Sequence, residues 1–523
     1  MSTPIRVRKR MPVSGLVTAL PEDVLPDEAS PRCLNVRFRF GEVIPRPGSK
    51  LFSDKQVAES VLHIDEFSRI DALVWLLHLT ETKIYRFGDT LPGVPRDWFA
   101  ISGGPTIVSG RRWSVTKGEG LFFFTHGQEV LTWSGTGSYA SITDADTSGI
   151  FASEIVSSRY IEYFNNSLIL GYVEEASGTK ANRIRWSING DHTRWDDTAG
   201  LGAGFIDLFE EGEEPITGLR ALHDRLVVYK RRSFAEILAT GTLTPRHIVQ
   251  VRSRGIGCAA PYTLAFNGFV HFFMGVDGNV YAWDSNTLSP IGDPILNELE
   301  GLVDPANFDT IFGAAIPSRQ EYWLVVDSDN VFVYDWYRNT WSRDSYPSLS
   351  ALGEADDTFG IVVWNDAIGA WDVYGGQWNQ QNISRQIKAF GGRATGEIFE
   401  VDKMTVDDYF AIGSIVDRHV ETPDFYFSTS GDYTGPWQQG TIQQLLLTYK
   451  YENSEPFEVG VSLDRGLTWN TQLITPVPAG YSALSFNLTG NVVRFRFREN
   501  NSQGRFRWRN FDYEFVPAGP FRG

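Results

Sequence analysis

From about Val61 to about Val401 the chain keeps returning to one arrangement: a short apolar run, a turn of Gly, Asp or Asn, and a second apolar run carrying Trp or Tyr. The units read IDALVWLLHLTETKIYRFG from Ile70, GLFFFTHGQEVLTWSG from Gly120, FNNSLILGYVEEASGTKANRIRWS from Phe164, LHDRLVVYKRRSFAEIL from Leu222, FNGFVHFFMGVDGNVYAWD from Phe266 and RQEYWLVVDSDNVFVYDWYRNTWSR from Arg319. IVVWNDAIGAWDVYGG, beside Gly360, is a candidate seventh. The starts fall about 45 to 60 residues apart, close to the length of a four-stranded propeller blade. Turns such as Asp277-Gly278 and Asp329-Asn330 place residues tolerant of positive φ where a tight hairpin needs them. In VFVYDW, Val331, Val333 and Asp335 share one face and Phe332, Tyr334 and Trp336 the other. Both faces are largely apolar, as stacked sheets require. Consecutive sandwich domains would repeat at about 100 residues instead, a spacing not seen before Met404.

After Met404 the texture changes to longer alternating strands, QQLLLTYKYE, FEVGVSLD and VVRFRFRE, ending in VPAGPFRG. The expected fold is therefore all-β: an N-terminal arm with first strands over 1–58, a propeller of six or seven blades over 59–404, and a β-sandwich over 405–523. One helix is predicted, DPILNELEGLV from Asp293, with Ile295, Leu296, Leu299 and Leu302 as its apolar stripe behind an Asp-Pro start. It is expected to cap one side of a blade. The arm, with Arg6, Arg8, Lys9 and Arg10, is expected to be tied down by neighbouring subunits.

Composition narrows the function classes. A chain of 523 residues with 42% hydrophobic and 21% charged residues is globular, and its 50 Gly and 25 Pro fit strands and turns. The formal charge of −17 excludes a protein that wraps nucleic acid, because such binding relies on Lys and Arg displacing counterions. Cys33 and Cys258 are far apart with no CxxC spacing, which argues against a disulfide framework or a zinc site. The basic N-terminus lacks the apolar core of a signal peptide, and the longest apolar stretch, ALVWLLHL, is too short to span a membrane. A soluble protein made in a reducing cytoplasm is expected.

Candidate chemistry is sparse. SLDRGLTW resembles an Asp-box, with Ser462, Asp464, Gly466, Thr468 and Trp469 at the matching positions. Its logic is a braced hairpin turn: the Asp464 carboxylate accepts backbone N–H groups, Gly466 permits positive φ and Trp469 packs beneath. Sialidase-like glycosidases carry several such boxes, whereas one full match here, outside the repeats, reads as a structural brace. The eight histidines show no HExxH or GxSxG context, and no P-loop is present. No catalytic residue, cofactor or metal ligand is assigned. Arg494, Arg496 and Arg498, then Arg505, Arg507 and Arg509, alternate with aromatic residues, so each set lines one strand face. Grouped guanidiniums need acids opposite, supplied either by a partner surface or by the same sheet. Glu210, Glu211, Glu213 and Glu214 form an acidic inter-blade loop that is read first as solvated, with binding of a divalent cation or lining of a negatively charged channel as the alternatives.

The opening LPEDVLPDEASPRCLNVRFRFGEVIPRPGS resembles the start of tail proteins of short-tailed bacteriophages, through Asn35, Arg37, Gly41, Arg46, Pro47 and Gly48. The same texture continues in NRIRWSINGDHTRWDD from Asn182, ITGLRALHDRLVVYKRRSFAEI from Ile216 and VYDWYRNTWSR from Val333. The resemblance implies a structural virion protein, not an enzyme: a tail nozzle subunit, typically six in a ring, assembled in the host cytoplasm below the adaptor (head-to-tail connector). Asn35, Arg37, Arg46, Pro47 and Gly48 would then belong to an assembly arm, and the sandwich would dock tail fibres or spikes. Double-stranded DNA would pass transiently, without specific binding, past a ring carrying a formal charge of roughly −100. Two other classes are a tail-tip propeller that binds or cleaves glycans, favoured by 16 Trp and 20 Tyr, and a propeller scaffold for protein partners outside a virus.

Overall fold

The computed structural model describes residues 3–53, 57–69, 74–88, 97–103, 111–142, 155–197, 202–209, 214–242, 246–356, 387–404, 416–427, 438–499 and 506–520. The chain is nearly all β. Among these residues are seven four-stranded antiparallel sheets, six of them meanders, in a propeller-like arrangement. Their first strands are Val61–Ser68, Ser114–Gly118, Ile155–Phe164, Ile216–Leu222, Ala260–Phe266, Phe312–Ile316 and Leu349–Asp356. The six quoted units each fall on the central hairpin of one of the first six sheets, because those strands are buried on both faces and read as apolar runs. IVVWNDAIGAWDVYGG lies outside the described residues.

Apolar contact continues from each sheet to the next. In the sixth sheet Phe332 and Tyr334 pack with Phe272 of the fifth, while Val331 and Val333 pack toward Phe399 of the seventh. The circuit closes where Val61, Ile64 and Leu76 of the first sheet meet Ala351, Phe390 and Ile398 of the seventh. The approach there is tight: a Cβ on Gly353 would lie 2.4 Å from the Ile64 carbonyl oxygen. The fourth strand of the seventh sheet is not supplied in sequence order. After Ile387–Arg393 and Ile398–Met404, the edge is completed by Gly48–Leu51.

The remaining strands form two six-stranded sheets. One runs Val36–Arg39, Glu42–Pro45, Arg507–Pro520, Gln438–Lys450, Tyr481–Gly490, with Ile5–Arg10 also paired to Arg507–Pro520. The other runs Cys33–Leu34, Arg418–Glu421, Val492–Glu499, Phe457–Ser462, Asn470–Ile474, with Phe425–Tyr426 on Val492–Glu499. They face each other through aromatic side chains, Phe495 lying 5.1 Å from Phe511 and Phe497 5.6 Å from Trp508, centroid to centroid. The strands between Ile5 and Leu51 are thus paired within their own chain, and this pairing crosses the expected divisions at 58 and 404. The helix is shorter than predicted, a 3₁₀ turn Asp293–Ile295 followed by α-helix Leu296–Leu302. Ile295 and Leu299 are fully buried, but Leu302 is exposed, because the helix ends there and its last side chain lies past the core contact.

A buried polar junction joins the two parts. Arg37 pairs with Glu321 at 3.0 Å and Asp344 at 2.6 Å, with all three side chains almost fully buried. Arg46, fully buried, donates to Asn35 Oδ1 at 3.0 Å and lies 4.0 Å over the Tyr346 ring. Arg418 donates to the Arg46 carbonyl and pairs with Glu499 at 2.6 Å. Replacing Arg37 by Ala removes the bidentate partner of buried Asp344 and one of the two arginines on Glu321, so Arg37→Ala is expected to lower stability by about 3–5 kcal/mol in urea unfolding.

Burial also fixes the neutral form of several histidines. His78 stacks on Tyr85 and meets Trp98 edge-on, neither ring nitrogen finds a hydrogen bond, and burial lowers its pKa to about 3. His271 is likewise lowered to about 3 and His247 to about 4 by burial. An unfolded histidine titrates near 6.5, so the unfolded chain takes up protons first as pH falls. The stabilisation is complete above about 6.5 and is lost as pH drops toward 3. His78→Phe should flatten this loss, its advantage over the native chain growing by up to about 1.4 kcal/mol per pH unit in denaturation curves between pH 6 and 4.

Candidate functional site

The Asp-box-like turn joins Phe457–Ser462 to Asn470–Ile474. Asp464 accepts the Thr468 N–H at 2.8 Å and the Thr468 hydroxyl, and Ser462 Oγ accepts the Gly466 N–H at 2.8 Å. Gly466 stands at φ +86°, as the turn requires. The Thr468 hydroxyl and backbone bonds lower the Asp464 carboxyl to about 2. Trp469 lies flat under the strand, against Gly460, with Arg496 4.5 Å over its ring. The side chains of Ser462, Asp464 and Thr468 are all engaged in the turn itself.

The described arginines of the ladder are paired inside the chain. Arg494 is fully buried and bonds to Glu22 and to Asp424, the segment around Glu22 covering the sheet at this point. Arg496 pairs with Glu458, Arg498 with Asp417, Arg507 with Glu452, and Arg509 with Glu42. Arg505 lies outside the described residues. So do Glu210, Glu211 and Glu213, whereas Glu214 accepts the Arg232 N–H at 3.0 Å. Of the residues quoted for the arm, Asn35, Arg37 and Arg46 form the buried junction, Gly48 pairs with Met404, and Pro47 is exposed. Among the described residues there is no cluster of three metal-ligating side chains, and both cysteines are buried with their thiols pushed up to about 12 by burial.

The site that no single motif announced lies where the first strands of all seven sheets converge. They enclose a cavity of about 400 Å³ lined by residues such as Leu62, Asp65, Arg112, Lys117, Glu162, Arg220, Tyr262, Phe312 and Glu354. Small residues recur on these strands, Gly218, Gly313, Ala314, Ala351 and Gly353, and this recurrence was the available signal. Arg112 donates to the carbonyls of Leu62 at 3.2 Å and Ser350 at 2.7 Å and rests 3.7 Å over the Phe312 ring. Burial lowers its pKa to about 10, which leaves it cationic at neutral pH. Lys117 reaches Asp65 at 2.9 Å, and against the effect of burial Lys117 and His63 hold that carboxyl below its usual range. Glu162 is raised by burial, which Arg220 at 3.7 Å only partly offsets. Burial also raises Glu354, which accepts the Ser318 N–H at 3.1 Å.

These bonds run between sheets: Asp65 to Lys117 joins the first to the second, Glu162 to Arg220 the third to the fourth. Arg112 ties the second sheet to the first and seventh. The charged groups of the cavity therefore tie the inner strands together. Arg112→Met should leave two carbonyls without donors and lower stability by roughly 2–4 kcal/mol, read as a reduced denaturation midpoint with an unchanged strand signal in circular dichroism.

No family model matches the chain, and no curated protein does either. Among solved structures, similarity extends to a catalytically inactive virginiamycin B lyase from Staphylococcus aureus with quinupristin, at 10% identity and TM-score 0.36 over 67% of this chain and 97% of that one. PorZ, a surface component of the type-IX secretion system of Porphyromonas gingivalis, aligns at 11% identity and TM-score 0.34 over 83% of this chain and 46% of its own. The extracellular domain of a candidate one-component system from B. thetaiotaomicron aligns at 10% identity and TM-score 0.40 over 93% and 63%. The chain spans less than two thirds of the last two proteins.

Proposed function

We propose that this chain is a structural subunit of the tail nozzle of a short-tailed bacteriophage, built as a seven-bladed β-propeller with a β-sandwich braided from both ends of the sequence. In this reading copies form a ring, six by the resemblance, that docks on the adaptor, receives fibres or spikes and retains and releases double-stranded DNA. The resemblance carried by Asn35, Arg37, Arg46, Pro47 and Gly48 supports the family, and one structural observation supports assembly. Among the described residues Asn470–Ile474 and Tyr481–Gly490 each pair on one side only, and the whole stretch from Asn470 to Gly490 contains no charged residue. Gln472 bonds to the Ser485 carbonyl, so the two strands form one continuous border. Tyr481, Ala483, Ser485, Asn487 and Thr489 point outward, and Leu473 is 73% exposed.

Soluble proteins blunt long strand edges with lysine, proline or bulges. Tyr481–Gly490 has one register irregularity, between Ser485 and Leu488, but no lysine or proline, and its ten neutral residues suit the addition of a strand from a neighbour in the tail. On a chain of charge −17, a neutral border is also where another subunit approaches with least repulsion. The DNA path in this reading lies between copies, around the ring axis. A cavity of about 400 Å³ inside one propeller holds on the order of a dozen waters and no duplex.

Electron microscopy of the assembled form tests the reading: a six-fold ring with an axial opening wide enough for a duplex is expected, and isolated or three-fold particles without a channel would overturn it. Ala483→Lys with Ser485→Lys should dissociate the ring in mass photometry while changing monomer stability by under about 0.5 kcal/mol. Rings that persist in the double variant would remove this border from the assembly.

A further inference from the structure

A groove runs between the fifth and sixth sheets on the face where their first strands end. Its main part, about 610 Å³, is floored by Phe272, Tyr334 and Trp336. It shares Asn339 with a second hollow of about 460 Å³ beside Phe38 and Phe40. Phe272 stacks on Trp336 with centroids 5.6 Å apart, which fixes the half-buried indole. At the rim Phe40 is 78% and Tyr337 72% exposed, with the Arg338 guanidinium 5.2 and 5.3 Å from their rings. Burial or packing gives no reason for these two large rings to stand in solvent side by side.

Four polar side chains of the groove share one property: each is anchored by one atom and leaves the other without a partner among the described residues. Asn267 Oδ1 accepts the N–H groups of Phe269 at 2.9 Å and Val270 at 2.8 Å, leaving Nδ2. Asp284 Oδ1 accepts from Asn286 and Thr287, leaving Oδ2. Asp293 Oδ1 accepts from Asn279 at 2.7 Å, leaving Oδ2, and Asn339 Oδ1 accepts from the Tyr334 hydroxyl at 2.7 Å, leaving Nδ2. The groove thus offers two fixed amide donors and two fixed carboxylate acceptors around an aromatic floor, within the size range of ligand sites.

We infer that this groove binds a neutral oligosaccharide. A sugar hydroxyl both donates and accepts, and so satisfies this mixture of groups, while the C–H face of a pyranose packs on an aromatic plane. An apolar segment would bury four polar groups without partners, and a nucleic acid or acidic chain would meet Asp284 and Asp293. The inference is independent of whether copies form a ring.

The test uses the full chain on a microarray of neutral and acidic oligosaccharides from bacterial O-antigens and capsules, followed by calorimetric titration of the strongest binder. Asp284→Asn with Asp293→Asn keeps an oxygen for each anchoring bond but turns both free acceptors into donors. It should weaken binding at least tenfold with the melting temperature unchanged, whereas Asp329→Asn, on an exposed turn outside the groove, should bind as the native chain does. Trp336→Leu, with its fold checked by circular dichroism, should lose binding by a similar factor. Absence of binding across the array, preference for the acidic oligosaccharides, or native affinity in the Asp284/Asp293 variant would each overturn the inference.

Discussion

The structure depends on one closure: Gly48–Leu51, near the beginning of the chain, completes the sheet whose other strands end at Met404. A circle of sheets has no free side only if the last contact forms, and here it forms between segments some 350 residues apart. The entropy of that loop grows slowly with its length, so the cost is modest. The geometric demand is severe, however, because Gly353 and the Ile64 carbonyl must approach to a distance no side chain would permit. The Arg37 and Arg46 junction sits immediately before the closing strand and fixes its position. Buried ion pairs of this kind contribute less to net stability than to register, since any other alignment leaves Glu321 and Asp344 unpaired.

The same economy appears in the arginines at the other end of the sequence. A run of alternating arginines reads as a surface waiting for an acidic partner, yet Glu458, Asp417, Glu452 and Glu42 are within the same fold. Charge here is matched internally, in the axial cavity and in the paired sheets alike. Two surfaces stand apart from that pairing: the neutral border Asn470–Gly490, and the groove over Trp336 with its half-engaged polar side chains. Those are the surfaces left with something to do.

Local features were legible in the sequence and non-local ones were not. The turn at Asp464 could be read because its donors and acceptors lie within seven residues. Six central hairpins could be read because burial on both faces leaves an unmistakable apolar run. The seventh sheet could not, since its edge strand, GSKL, carries no pattern of its own and is a strand only because Phe399 and Glu400 are beside it. Arg37 and Arg46 were visible as a motif but not as a buried junction, because their partners Glu321, Asp344 and Tyr346 are hundreds of residues away. The axial cavity is a property of seven strands together, and only the small residues on its walls hinted at it.

The pairing of Ile5–Arg10 with Arg507–Pro520 bears on how the protein is made. Among the described residues Ile5–Arg10 has its strand partner some 500 residues later, and the strand that closes the circle, Gly48–Leu51, waits some 350. The middle sheets can form early, stacking one on the next as an open arc. Until residues 387–404 exist, that arc keeps an apolar flank at Val61, Ile64 and Leu76 without its cover. Two early strands thus wait for partners made hundreds of residues later, and until those are synthesised their open edges are free to pair with another chain or to be held by a chaperone.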